Sequence, residues 1–460
     1  MIPGKSYLHG PTIPRRKSTY PKNVQKRNAG LPLGWSNTHI SFSLGQFIKR
    51  LTNNEVVRGR PARITESEIV EIAEKVEPVL ARDPVCINLN LDESLCIIGD
   101  LYGNFANLVR IFNKLGHPSK SRYLFLGNYI NRQNRSVELI ILLFAYKLKY
   151  PENIFMLRGN HECQYVSYYY GFLQECRSIY RQRVWRAIMR AFNWLPAAAI
   201  IEDVIFCVHS GLIKDIPYKT VRNKEKLRAY ISLQIDRPVA IAANSTLAQL
   251  TWSEPVVDTK GWRDNPAGIG WLYGEDEIHE FCRMYNFQQI IRSNESAENG
   301  YEFIADGKLL TIFAIPDLSG SSRNSGAIVH LCKNIKDQTI TGRIIIVSPF
   351  TQIRPGRPTL ITISLRDSLG GELVQALPSN TGEDEVTAID LESVVGERNL
   401  TKLSLDTSEM SCSSILEFGD MNMDETMTYV SNPFGETEPS AKHTGSRRTI
   451  GERRGNRLSV

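Results

Sequence analysis

IFMLRGNHE, residues 154–162, is the stretch on which the reading of this chain turns. Four apolar residues, Ile154 to Leu157, have the length of a buried strand and run straight into a polar segment built around a glycine. The same grammar recurs. YLFLG at 123–127 runs into GNYINR at 127–132, SLCIIG at 94–99 into GDLYGN at 99–104, and VIFCV at 204–208 into HSG at 209–211. Between these runs the spacing changes to that of helices, at Phe105 to Leu115 (FANLVRIFNKL) and from about Ser136 to Lys149. Further on, Ala198 to Ile201 and Val204 to Val208 flank Glu202-Asp203, a turn between two strands. A β-α-β-α-β order followed by paired strands is a mixed α/β domain. In such sheets, sites form beyond the carboxyl ends of the strands, so the four polar loops are expected to share one cleft. Taken singly, each loop reads as an ordinary turn.

Composition frames this core. Of 460 residues, 42% are apolar, enough for a large core, and the net charge of +6 gives no argument for a nucleic-acid partner. Residues 1–41 form a basic arm (Arg15, Arg16, Lys17, Lys22, Lys26, Arg27) without apolar period, and residues 351–460 pass from LITISL into Ser, Thr, Glu and Gly with a basic end. Both are expected to be mostly disordered, leaving residues 42–350 as the folded domain. The N-terminus lacks an apolar signal region, and VELIILLFAY at 137–146 is too short to span a bilayer. The eight cysteines show no CxxC spacing and read as reduced thiols, which fits a cytoplasmic or nuclear protein.

Taken in order, the loops resemble the phosphoprotein phosphatase (PPP) family of serine/threonine protein phosphatases, closest to the protein phosphatase 1 type. The family pattern is GDxHG, GDxxDRG, GNHE, a His in HGG and a His in RAH. The stretches YLFLGNYINR, YPENIFMLRGNHEC, LTWSEP, GYEFIADGKLLTIFAIPD and SGAI are similar to family blocks in the expected order, over about Phe42 to Ile346. The resemblance implies the calcineurin-like metallophosphoesterase fold, two mixed β-sheets sandwiched between helices, and an activity that uses two divalent metals (Mn, Fe or Zn). Such a pair, roughly 3.5–4 Å apart, clamps the phosphate and generates the hydroxide nucleophile. It needs a carboxylate to bridge the ions and imidazoles and oxygens to complete their shells.

Carried over position by position, that requirement is not met. Asp100, Asn160 and His209 match ligands. Tyr102 stands where the family has His, Asn128 where it has the bridging Asp, and Asn294 where it has the second late His. A neutral phenol binds divalent metals weakly, and an amide has one neutral oxygen and cannot bridge. His161 matches the acid that protonates the leaving alkoxide, but its Asp partner is Asn131, which orients the ring without favouring the imidazolium. Arg132 matches a phosphate clamp, while the second clamp arginine falls at Ala267 and the late active-site Tyr at Leu318. Asp317 is the acid left to compensate. Two readings of the survivors stay open. Asp100 is a ligand or a carboxylate held by loop amides, and His209 is a ligand or a satisfied buried histidine.

The expected cofactor is therefore none, or one weakly held divalent ion. The expected function is that of a pseudophosphatase acting through protein or phosphoprotein binding, with a weakly active or single-metal phosphoserine/phosphothreonine hydrolase as the alternative. Expected partners are regulatory subunits or phosphoproteins of type 1 phosphatases. A nucleic-acid or membrane-surface role for the basic arm ranks last, since its charges lack interleaved aromatics. Type 1 relatives recruit subunits through an apolar groove, one wall of which matches Tyr301, Glu302 and Phe303, with another strand at about Thr339 to Ile346. That groove is expected to take extended peptides by strand addition. Ser18 and Thr449, after basic residues, look like kinase sites.

Overall fold

The computed structural model describes residues 40–318, 324–334, 336 and 338–348, together with the backbone of strands 360–365 and 377–379. The basic arm, Ser18, Thr449 and most of the expected tail lie outside these residues.

In chain order the strands are β1 (Cys86–Leu89), β2 (Leu95–Ile98), β3 (Arg122–Phe125), β4 (Ile154–Met156), β5 (Ala198–Ile201) and β6 (Ile205–Val208). Next come β7 (Glu254–Pro255), β8 (Trp262–Asp264), β9 (Trp271–Tyr273), β10 (Gln289–Arg292), β11 (Tyr301–Ile304) and β12 (Leu309–Ile312). The last are β13 (Gly326–Lys333), β14 (Ile340–Val347), β15 (Leu360–Leu365) and β16 (Leu377–Ser379). They form a six-stranded sheet, β1-β5-β6-β10-β12-β11, a seven-stranded sheet, β16-β15-β14-β13-β2-β3-β4, and a small sheet, β7-β9-β8. Both large sheets mix parallel and antiparallel pairs.

The strands explain the layering. Residues along a strand alternate between faces, and LCII of β2 is apolar on both. Leu95 and Ile97 join the cluster between the two sheets, with Leu124, Ala199, Cys207 and Leu310. Cys96 and Ile98 face the other way, into a cluster shared with the helices Glu66–Arg82, Phe105–Leu115, Ser136–Lys149 and Gln182–Phe192. A third cluster covers the outer face of the six-stranded sheet with helices Lys224–Gln234, Thr246–Trp252 and Glu275–Tyr285. Helix Ser136–Lys149 is the most enclosed: Leu139 through Phe144 have no exposed surface, and burying each such side chain is worth about 1.5–3 kcal/mol. The two helices expected at 105–115 and from 136 to 149 are found within those bounds. Asn104 caps the first, its Oδ1 accepting from the Asn107 N–H.

Two features differ from expectation. The sheet does not stop at residue 350: β15 pairs antiparallel with β14 and β16 with β15. LITISL, read as an apolar remnant of the tail, is thus a strand. Its β-branched residues suit it to one, and an apolar β14 edge favours a partner. Three helices at the start, among them Glu66–Arg82 with a Thr65–Glu68 capping box, had no place in the motif-based reading.

Candidate functional site

The loops after β2, β3, β4, β6 and β10 meet at the carboxyl ends of the strands, and short backbone bonds tie them together. The N–H groups of Leu101 and Tyr102 both donate to the Asn128 carbonyl at 2.9 Å, and Ser293 donates to the His209 carbonyl at 2.9 Å. Glu162 is the buttress. Its buried carboxylate accepts the N–H groups of Asn128 (2.7 Å), Tyr129 (2.9 Å) and Gly159 (3.0 Å). Burial pushes its pKa up to about 7 against the pull of these donors. The β3 and β4 loops touch so closely that a Cβ on Gly159 would lie 2.5 Å from the Asn128 nitrogen. Tyr102, Asn128, Asn131, Arg132 and Asn294 all have positive φ, a region that Asn tolerates better than most residues.

Within this frame the six expected ligand positions converge, and each has a side-chain hydrogen bond to another of them. Asp100 Oδ1 accepts the Ser293 hydroxyl (2.6 Å) and the Asn294 N–H (3.2 Å), while Oδ2 accepts the Asn128 amide (3.0 Å). Asn128 also donates to the Tyr102 hydroxyl at 2.9 Å, and its Oδ1 accepts the backbone N–H of His161 at 3.0 Å. Both N–H groups of that amide are engaged, and its oxygen accepts one bond. The Asn160 and Asn294 amides bond to each other at 3.1 Å, and the Asn294 nitrogen reaches the Ser210 hydroxyl (3.3 Å) and Glu254 (3.2 Å). His209 donates Nδ1–H to the Leu126 carbonyl at 2.9 Å, and its Nε2 lies 3.3 Å from the Asn160 amide oxygen. Asp100 thus has both oxygens engaged, while His209 Nε2 faces the oxygen of the Asn160 amide.

The electrostatics follow from burial. The Tyr102 phenol is held well above its usual pKa by desolvation and then by Asp100. His161 is pushed well below the ordinary imidazole range, by burial first, then by Arg132 and His209. His209 is lowered by burial as well. The Tyr102 and His161 rings meet edge-on at 4.8 Å, Tyr170 stands 5.5 Å from His161, and the exposed Arg132 guanidinium stacks over Tyr102 (4.9 Å) and Tyr170 (5.8 Å).

The remaining expected positions fall into place around it. Ala267 belongs to an apolar cluster with Val166, Ala248, Trp252 and Ile269, on which Tyr170 also packs. Leu318 packs against Tyr102, Phe313 and Ile315. Tyr301 and Phe303, on the edge strand β11, pack on the inter-sheet cluster while Glu302 is exposed. The expected second wall is β14, but its edge is occupied by β15, so strand addition there meets an edge already paired. Ser293, Ser210, Glu254 and Tyr170 were missed by the motif reading. Glu254 sits in the LTWSEP block and Ser210 in the HSG loop, which could have signalled them; Ser293 and Tyr170 reach the cleft only through the fold.

Residues 94–293 match the calcineurin-like phosphoesterase family model. Among solved structures, the chain is similar to a protein serine/threonine phosphatase from Saccharomyces cerevisiae described as having similarity to human phosphatase PP5. The TM-score is 0.59 at 25% identity, covering 69% of this chain and 99% of that one. A cold-active protein-tyrosine phosphatase of a psychrophilic Shewanella species matches more distantly, with TM-score 0.37 and 13% identity over 58% of this chain and 81% of that one. The fold is that of a calcineurin-like metallophosphoesterase, arranged as in a serine/threonine protein phosphatase.

Proposed function

We propose that this chain is a PPP-type pseudophosphatase, which keeps the phosphatase fold as a surface for proteins or phosphoproteins and does not turn them over. The observation that supports it is the closed amide network at the six ligand positions. A bridged ion pair carries about four positive charges and needs anionic oxygens from the protein. Here Asp100 is the one carboxylate among the six positions, and both its oxygens are committed to Ser293, Asn294 and Asn128. Asn128 cannot bridge, because its nitrogen donates and cannot ligate. The donor set does not fit a two-metal centre.

The acid and the clamp fare no better. His161 faces an amide where a carboxylate would charge it, and Ala267 adds an apolar wall where a second guanidinium would neutralise phosphate. What the cleft retains is recognition. Arg132 is exposed and held by two rings, suited to an anionic side chain such as a phosphoserine. Protein partners, including regulatory subunits of related phosphatases, belong to the same reading.

Elemental analysis of the pure protein, paired with a Mn²⁺-supplemented phosphopeptide assay, tests it. The expected result is substoichiometric metal and turnover no higher than that of His161→Ala. Two bound cations per chain together with His161-dependent dephosphorylation would overturn the proposal. One cation with slow turnover would establish the single-metal hydrolase, for which Asp100 and His209 supply the donors. The fourfold variant Tyr102→His, Asn128→Asp, Asn131→Asp, Asn294→His is expected to gain metal and activity, the restored acid alone contributing on the order of 10²-fold.

A further inference from the structure

His161 is 5% exposed, and its Nδ1 lies 2.8 Å from the side-chain nitrogen of Asn131. The other end of that amide, Oδ1, is 3.1 Å from the backbone N–H of Phe172. A backbone N–H can only donate, so it fixes which end of Asn131 is oxygen. The NH2 end must then face His161, and Nδ1 must accept. A ring nitrogen that accepts carries no proton, which places the proton of this neutral imidazole on Nε2. The only hydrogen bond of the ring among the described residues is the one at Nδ1. The same two aromatic rings, Tyr102 and Tyr170, flank both this imidazole and the Arg132 guanidinium.

We infer that Asn131 is a positioning residue that locks His161 in the Nε2–H tautomer, making it a fixed neutral donor that, with Arg132, receives an oxyanion. An aspartate at 131 would do the opposite, since its oxygens only accept and would hold the proton on Nδ1. The amide thus changes the ring from a group that transfers protons to one that only donates a hydrogen bond. The identity of the anion, a phosphate monoester, rests on the function proposed above; the tautomer does not.

Long-range ¹H–¹⁵N correlation of the full chain labelled with ¹⁵N-histidine reads the tautomer directly, with His161→Gln assigning the signals by their loss. The expected spectrum at neutral pH has a pyrrole-type Nε2 and a pyridine-type Nδ1 for His161, with Nδ1 becoming pyrrole-type in Asn131→Asp. A protonated Nδ1 in the wild type, or an unchanged spectrum in Asn131→Asp, overturns the lock. Titration with a phosphoserine peptide then reads the donor. His161→Ala should weaken binding roughly two- to tenfold, the range for one uncharged hydrogen bond, and His161→Gln, which keeps an N–H, should recover most of it. Binding by His161→Ala equal to wild type removes the donor role while leaving phosphoprotein recognition standing. If the wild type takes up no phosphopeptide, that recognition falls and the donor role with it, and the spectrum still decides the lock.

Discussion

The loop frame beneath the cleft and the side chains that line it have fared differently. The frame is complete: Gly127 and Gly159 leave room for two loops to touch, and Glu162 gathers three N–H groups from them. The lining is amides and phenol, at Asn128, Asn131, Asn294 and Tyr102, positions where the resemblance to the phosphatase family leads one to expect carboxylate and imidazole. A cleft built to hold cations but deprived of anionic donors would leave buried polar atoms without partners. Here Asn128 bonds Tyr102 and Asp100, Asn294 bonds Asn160, and Asn131 faces His161. The difference separates what shapes the cleft from what reacts in it.

The largest way to break the comparison is through the frame. Glu162→Ala leaves three buried N–H groups without an acceptor and is expected to cost on the order of 3–5 kcal/mol in urea unfolding. A loss under about 1 kcal/mol would mean the loops do not depend on this carboxylate. The next test strikes the lining. Asn128→Asp sets a second carboxylate against Asp100, whose Oδ2 the native amide approaches to 3.0 Å. Destabilisation of about 3 kcal/mol is expected, as for a buried charge lacking a partner. Mn²⁺ should restore the melting temperature of this variant and leave the wild type unmoved. Equal shifts in both would show that the amide network does not oppose metal.

A pH series sharpens the frame's side. Glu175 is buried, with one oxygen accepting the Val137 N–H, and burial pushes it up to about 7 against the pull of hydrogen bonds from Val137 and Ser136. The folded chain therefore keeps a proton that the unfolded chain releases between the ordinary carboxylate value and pH 7. The stability this group contributes is present at low pH and falls as pH rises through that window. Measured against Glu175→Gln, the wild type should lose stability from about pH 4.5 to 7; a parallel pair of curves would refute the shift. The smallest effect belongs to Arg132, which is exposed and rests on two rings. Arg132→Ala should change stability by roughly 0.5–1 kcal/mol or less, yet weaken phosphopeptide binding. A large stability loss with unchanged binding would move Arg132 from the lining to the frame.

The strands, the two central helices and the convergence of loops were legible in the sequence, because a period of two or 3.6 and a glycine after a buried run are local properties. So were the altered positions, since a residue type is visible without a fold. The tertiary structure alone decided whether those changes left a hole or a network. Asn294 meets Asn160 across 134 positions of chain, and Asp100 meets Ser293 across 193. It alone showed that β15 occupies the edge of β14, which the composition of the tail had concealed. Composition and periodicity report what a segment can bury; which polar group finds which partner depends on where distant loops are brought, and that is settled only when the sheets are assembled.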